Sequence, residues 1–105
     1  MKSLSFKGRY VDAILSRKKT STMRRHDSPM NPKKGDTVNF RVGRYAQPFA
    51  TAIITNVEVI HLTSITDPQA RRDGFDNAHE LRAQLRETYG PNIRRVALIK
   101  FKLIK

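Results

Sequence analysis

The chain has 105 residues, with 21 lysines and arginines against 9 aspartates and glutamates, so its formal net charge is +12. This length suits one domain with a modest core and is too short for two. The absence of cysteine excludes disulfides, thiolate nucleophiles and zinc–thiolate sites. No run of the sequence approaches the roughly 20 apolar residues that cross a bilayer. We therefore expect a single cytoplasmic domain over residues 1–105, a monomer or weak dimer without a membrane partner.

The positive charge is concentrated in the first half of the chain. Residues 1–50 carry 12 lysines and arginines against 3 acids, whereas residues 51–105 carry 9 against 6. This asymmetry favours a polyanionic partner such as RNA or a phosphate-bearing nucleotide. The alternative is that the charge serves only solubility or the salt conditions of the host.

The first elements are a short strand and a short helix. Apolar side chains alternate with serines in residues 3–6, which predicts a strand. Tyr10, Ala13 and Ile14 follow at spacings i, i+3 and i+4, which predicts a helix that ends near Ser16 or Arg17.

A basic segment, Ser16–Arg25, follows the first helix. It contains five cations, four hydroxyls and no acid, and its β-branched residues favour an extended chain from Thr20 onward. In a strand, alternate side chains point to opposite faces. One face would carry Thr20, Thr22 and Arg24, and the other Lys19, Ser21, Met23 and Arg25. Because Lys19 lies at the turn into the strand, its side chain could still reach the Thr22 face. The simpler interpretation is an edge strand kept soluble by its charge.

The middle of the chain is predicted to be β-structure. A turn-rich loop over residues 26–34 precedes a half-buried strand, Thr37–Val42, and a connection over residues 43–48. Phe49–Ile60 is long, apolar and β-branched, and it fits a central barrel strand bent around Asn56.

The last third is predicted to contain two helices and a strand. Thr66 and Gln69 form a capping box for a helix that runs to about Arg72, and Gly74 ends it. A second helix is capped by Asp76 or Asn77, carries an apolar stripe over residues 78–89 and ends at Gly90. The closing strand is predicted over Val96–Ile104. Its inward-facing side chains would be Ala97, Ile99, Phe101 and Leu103, and its outward-facing side chains Lys100 and Lys102. The predicted fold is therefore α+β, with a mixed, mostly antiparallel, barrel-like sheet and two or three flanking helices.

Together these features resemble the ASCH family, whose small domains have the PUA-like β-barrel fold. The family motif, which follows the first helix, is Gly-x-Lys-x-x-Glu-x-Arg, with Thr in place of Glu in one bacterial branch. Lys19, Thr22 and Arg24 occupy the Lys, Thr and Arg positions, and Arg17 stands where the motif has Gly. The likeness continues through Lys34-Gly35-Asp36, Val42-Gly43-Arg44, the acid before Gly74-Phe75 and the closing strand.

The branch with threonine includes small amidohydrolases that remove the acetyl group from N4-acetylcytidine. The resemblance implies Lys19 as the base, Thr22 as the nucleophile and Asp73 as the proton donor, where the amidohydrolases have Glu. It also implies Arg24 as a contact that holds a phosphate or polarises the substrate. The other candidate binding residues are Arg17, Lys18, Thr20, Arg25, Arg44 and Tyr45.

This chemistry is coherent on physical grounds. A threonine hydroxyl is a poor nucleophile until a base takes its proton, and lysine can act as that base only when it is neutral. Desolvation and the neighbouring cations Lys18, Arg24 and Arg25 would lower the pKa of Lys19 from about 10.4.

The three histidines lie at no ligand spacing, so we predict no metal site, and we expect no cofactor.

Two functions remain open. One is an amidohydrolase acting on N4-acetylcytidine or a related acylated pyrimidine nucleoside. The other is an RNA-binding PUA-like module, of which a metal-independent ribonuclease would be a variant. The +12 charge favours RNA, whereas the Lys-Thr-x-Thr-x-Arg match favours the amidohydrolase, which is the function we expect.

Overall fold

The computed structural model describes residues 2–43 and 46–104, which form five strands, three α-helices and two 3₁₀ turns. The strands are β1 (Lys2–Phe6), β2 (Ser21–Arg25), β3 (Thr37–Val42), β4 (Pro48–His61) and β5 (Arg95–Ile104). The helices are α1 (Val11–Leu15), α2 (Asp67–Arg72) and α3 (Ala78–Tyr89), and the 3₁₀ turns are Gly8–Tyr10 and Leu62–Ser64. Within the described ranges no helix is long and apolar enough to cross a membrane.

The five strands form one curled sheet in the order β1-β3-β4-β5-β2. Only β1 and β3 pair in parallel; the other neighbours are antiparallel. The register between β4 and β5 shifts between Ile54 and Asn56, where the sequence predicted a bend. The sheet closes into a half-barrel whose open side lies between the edge strands β1 and β2. The predicted α+β, barrel-like fold with flanking helices is therefore confirmed.

Two apolar clusters lie on opposite faces of β5. One fills the inside of the curl and includes Phe6, Phe40 and Ile99; the other lies under α2 and α3 and includes Met23, Leu81 and Leu98. The sequence placed Ala97, Ile99 and Phe101 inward correctly. It missed that Val96 and Leu98 are also buried, because it did not foresee that α2 and α3 pack on the other face. Leu103 is only partly buried.

Strand β2 separates its side chains as the alternation predicted. Thr22 pairs with Ile99 and belongs to the inside of the curl, whereas Met23 pairs with Leu98 and packs with the α3 cluster. The strand begins at Ser21 rather than Thr20. It has one neighbour, β5, so it is an edge strand.

Arg17 closes α1 in a conformation that side chains rarely adopt. Its φ is +65°, the left-handed region, and its amide donates to the Ile14 carbonyl at 3.0 Å. Helices often end with a left-handed residue directly after the C-cap, and glycine is favoured there because it has no Cβ to clash. Arg17 therefore keeps the backbone turn of the motif glycine without being glycine.

Replacing Arg17 with glycine should stabilise the protein. Relief of the left-handed conformation outweighs the added chain entropy, so we expect Arg17→Gly to raise the free energy of unfolding by about 0.5–1 kcal/mol. Urea titration measures this change. Lys18→Gly removes the same charge at a residue without positive φ and should lower stability instead. Equal effects of the two substitutions would contradict the strain at Arg17.

Candidate active site

Lys19 is a buried lysine held by three acceptors. Its amide donates to the Ala13 carbonyl at 2.9 Å, which folds the chain back between α1 and β2. The side chain is only 2% exposed. Its Nζ donates to the carbonyl oxygens of Ser21 (2.9 Å) and Asp73 (2.6 Å) and to the Asp73 carboxylate. All three donors of an ammonium group are thus occupied.

Asp73 reaches Lys19 because of the way α2 ends. The predicted capping box begins the helix: Thr66 and Gln69 each accept a hydrogen bond from the other's backbone amide. Asp73 is the C-cap and Gly74 follows at φ +98°, the predicted left-handed stop. The Thr20 amide donates to the Arg72 carbonyl at 2.8 Å, which ties the end of α2 to the start of β2.

The Asp73 carboxylate is buried with one oxygen unused. The residue is 3% exposed, and Oδ1 accepts from Lys19. Within residues 2–43 and 46–104, Oδ2 has no hydrogen-bond partner at normal geometry, and the Met23 backbone is the other group near enough to favour the charged carboxylate by hydrogen bonding. A buried carboxylate oxygen without a partner is costly when charged, and protonation removes that cost.

Burial pushes both members of this pair toward their neutral forms. It raises the pKa of Asp73 from 3.8 to about 6, although the Lys19 ammonium opposes the rise. It also lowers the pKa of Lys19 below the ordinary 10.5, against the attraction of Asp73, and the positive charge of Arg24 lowers it further. An acid and a base with converging pKa values share one proton over a wide pH range.

Arg24 lies beside the pair and crosses the open side of the half-barrel. It faces the same side of β2 as Thr22, and its Nη2 donates to the Ser5 carbonyl of β1 at 2.6 Å. Its Cζ lies 5.0 Å from the centre of the Phe6 ring. The guanidinium therefore bridges the two sheet edges directly over the aromatic core.

Lys19, Thr22, Arg24 and Asp73 line one cavity of about 180 Å³. Four aromatic side chains complete much of its wall: Phe6, Tyr10, Phe75 and Tyr89. The Lys19 Nζ lies 5.3 Å from the centre of the Tyr10 ring, close enough for a cation–π contact. Ligand pockets usually measure about 300–1,000 Å³, so this cavity suits a single flat ring rather than a larger molecule.

Four of the other predicted binding residues lie outside the cavity. Arg25 is exposed, pairs with Asp27 at 3.1 Å and lines a neighbouring groove. Thr20 precedes β2 and does not line the cavity. Arg17 and Lys18 are exposed on the turn before β2 and also lie outside the cavity. The two predicted contacts Arg44 and Tyr45 fall outside the described residues.

The aromatic wall and one face of α3 were not predicted as site residues. Tyr10 and Tyr89 were assigned to apolar helix stripes only. On α3, however, the polar residues Gln84 and Thr88 continue the same face as Leu81 and Leu85, and all of these residues line the cavity. Polar side chains within an apolar stripe are the signal that could have identified this face.

The described residues contain no group of three or more histidine, aspartate or glutamate side chains arranged for a metal ion.

A family model identifies the family, and solved structures share the fold. The family model described as "ASCH domain" matches residues 2–103. A protein from Enterococcus faecalis V583 is 22% identical with a TM-score of 0.78, over 99% of this chain and 80% of its own. An ASCH domain from Lactobacillus crispatus is 13% identical, with a TM-score of 0.77, and the match covers 97% of this chain and 79% of the other. ASCH from Zymomonas mobilis is 16% identical, with a TM-score of 0.68, and the match covers 98% of this chain and 66% of the other. No curated protein matches the sequence.

The raised pKa of Asp73 predicts a specific dependence of stability on pH. A carboxylate whose pKa is higher in the folded state stabilises the fold below pH 3.8, and that contribution is lost as the pH rises through about 6. Asp73→Asn abolishes this titration. Relative to wild type, the variant should gain up to about 3 kcal/mol of unfolding free energy between pH 4 and 6.5.

Urea titrations of both proteins across this pH range measure the difference. Asp27→Asn is the matched control, because Asp27 is exposed and Arg25 lowers its pKa, so its contribution has the opposite sign. An unchanged difference between wild type and Asp73→Asn from pH 4 to 6.5 would mean that Asp73 titrates normally.

Proposed function

Because this chain belongs to the ASCH domain family, we propose that it is an amidohydrolase that deacylates N4-acetylcytidine or a related acylated pyrimidine nucleoside. The family is PUA-like and is linked to RNA binding or hydrolase activity. The observation that carries the choice of hydrolysis is the buried contact between Lys19 and Asp73 in the cavity that Thr22 also lines. Acyl transfer needs an acid and a base in contact beside a hydroxyl, whereas holding RNA needs only cations.

The pair can exist in two forms that contain the same number of protons. One is the ion pair, and the other has a neutral Lys19 amine and a protonated Asp73 carboxyl. Burial favours the neutral form, and the direct hydrogen bond gives the proton a path between the two groups. The neutral form is the reactive one, since it presents a base and an acid together.

In the acylation step, the Lys19 amine takes the proton of Thr22 as Oγ bonds to the acyl carbonyl carbon. The resulting tetrahedral intermediate breaks its carbon–nitrogen bond, and the Asp73 carboxyl protonates the departing exocyclic nitrogen. This step leaves an ester on Thr22, the free cytosine amine, a Lys19 ammonium and an Asp73 carboxylate. Arg24 supplies positive charge beside the oxygen that becomes negative.

In the deacylation step, Asp73 takes a proton from water as the water oxygen attacks the ester. Lys19 returns a proton to Thr22 Oγ when that oxygen leaves. The products are the free acid and the enzyme in its starting protonation state. The aromatic wall of Phe6, Tyr10 and Phe75 offers flat surfaces against which a pyrimidine ring can stack.

RNA binding without chemistry, or with ribonuclease activity, is the second candidate. An arginine-lined groove adjoining the cavity favours it. Salt separates the two functions: RNA affinity should fall steeply as salt rises, whereas turnover of an uncharged nucleoside should change little.

Removal of the Thr22 hydroxyl should abolish hydrolysis while the fold is kept. Thr22→Val preserves the shape of the side chain but has no nucleophile, so we expect kcat to fall about 10³-fold or more. Thr22→Ser keeps a hydroxyl and should retain activity. Chromatography of N4-acetylcytidine and cytidine gives the rates. Thr20→Val makes the same substitution two positions earlier, at a threonine outside the cavity, and should leave the rate near wild type. Full activity of Thr22→Val with an intact fold would exclude Thr22 as the nucleophile.

The rate of hydrolysis should depend on pH as a bell-shaped curve. Below about pH 6, Asp73 is protonated while Lys19 stays charged, so the base is lost. At alkaline pH the last shared proton leaves, and the acid is lost at a pH below the ordinary 10.5 of lysine. Initial rates of N4-acetylcytidine hydrolysis between pH 5 and 10 test this curve. A rate that rises steadily over the whole range would show that hydrolysis needs no acid.

A further inference from the structure

The open side of the half-barrel forms a groove that continues from the cavity. Strands β1 and β2 lie at the two ends of the strand order, so their edges border the opening. The groove has a volume of about 590 Å³ and is lined by residues 3–5 of β1, Arg24 and Arg25 of β2, and the loop residues 28–31. Ser5, Arg24 and Tyr89 line both the groove and the cavity, so the two spaces adjoin.

The groove is cationic. Among the described residues, its lining includes the guanidinium groups of Arg24, Arg25 and Arg41 and no carboxylate. Asp27 pairs with Arg25 at the surface and reduces this charge. Serine hydroxyls add donors for phosphate oxygens, and the apolar side chains of Leu4, Pro29 and Met30 form the rest of the lining.

Two of these arginines are held in place by hydrogen bonds within the protein. Arg41 donates from Nη1 to the Ala46 carbonyl at 2.6 Å and from Nε to the Ser3 hydroxyl at 3.2 Å. Arg24 is fixed by the Ser5 carbonyl. A guanidinium has five donors, so both side chains keep donors for an anion while their positions are already set.

The sizes of the two spaces limit the substrate. The 180 Å³ cavity admits a base, so the attached ribose must lie at its mouth, beside Ser5, Arg24 and Tyr89. The sugar's phosphates would then enter the groove. A free nucleoside has no phosphate and would leave Arg25 and Arg41, the two groove arginines outside the cavity, without a ligand.

We propose that the substrate is an acylated cytidine within single-stranded RNA, with its base in the cavity and the flanking phosphates in the arginine-lined groove. This inference rests on the proposed amidohydrolase function and names the substrate class of that site. A single strand is required because an enzyme reaches the exocyclic nitrogen only when the base is unpaired and turned out of the stack.

Three substrates test the proposal on the wild-type protein: N4-acetylcytidine, its 5′-monophosphate and an RNA octamer with one central acetylated cytidine. We expect kcat/KM for the octamer to exceed that of the nucleoside by about 100-fold at low salt. Phosphate contacts from Arg25 and Arg41 predict a slope of about −1.4 for log kcat/KM of the octamer against log salt concentration, and almost no slope for the nucleoside.

Arg41→Gln provides the matched structural test, because Arg41 lines the groove but not the cavity. It should lower the octamer-to-nucleoside ratio about tenfold and make the salt slope shallower by about 0.7. Arg86→Gln, the same substitution at an exposed residue of α3 outside the groove, should change neither value.

The outcomes distinguish this inference from the proposed function. Equal kcat/KM for the nucleoside and the octamer overturns the RNA substrate and leaves the amidohydrolase intact. Equal values for the monophosphate and the octamer also overturn it, since the groove would then bind one phosphate only. Hydrolysis of none of the three substrates overturns the proposed function itself, and the inference with it.

Discussion

The contact between Lys19 and Asp73 joins the two layers of the molecule at the candidate site. Lys19 lies two residues before β2 and Asp73 is the C-cap of α2, so their pairing fastens the helical layer to the sheet. Burying two charges costs several kcal/mol per ion, and well-packed apolar residues at such positions are often as stable. Stability alone therefore gives a weak reason for this pair. A reason from chemistry is stronger, because the contact adjoins a cavity, the Thr22 hydroxyl and a second cation, Arg24.

At the open side of the half-barrel, the basic edge strand β2 also forms one wall of the arginine-lined groove. Edge strands expose unpaired backbone groups and invite aggregation, and charged side chains protect them. Arg24 and Arg25 provide that protection on β2, and the bond from Arg24 to Ser5 covers part of the gap to β1. The simple interpretation of the segment Ser16–Arg25 and the functional one are therefore compatible, since the charges that protect the edge also line the groove.

The sequence was informative where the determinants are local. The capping box at Thr66, the left-handed stop at Gly74 and the opposite faces of Thr22 and Met23 each depend on a few neighbouring residues. It failed where a face depends on distant packing: the continuous apolar run Val96–Ile99 is buried on both sides because α2 and α3 cover one of them. The parallel pairing of β1 with β3 has no local signal either.

The candidate site was predicted unevenly for the same reason. Lys19 and Thr22 are close in the sequence, and the position of Lys19 at the turn allowed it to reach the Thr22 face, but their roles came from the resemblance to the family. Asp73 lies 54 residues from Lys19, and only the resemblance to the family pointed to it. Its side chain is one methylene shorter than the glutamate of the amidohydrolases. The structure offsets this difference through the backbone: the Asp73 carbonyl itself lies 2.6 Å from the Lys19 Nζ. Because the main chain approaches so closely, the short carboxylate reaches the ammonium, and a glutamate would have to fold back to make the same contact.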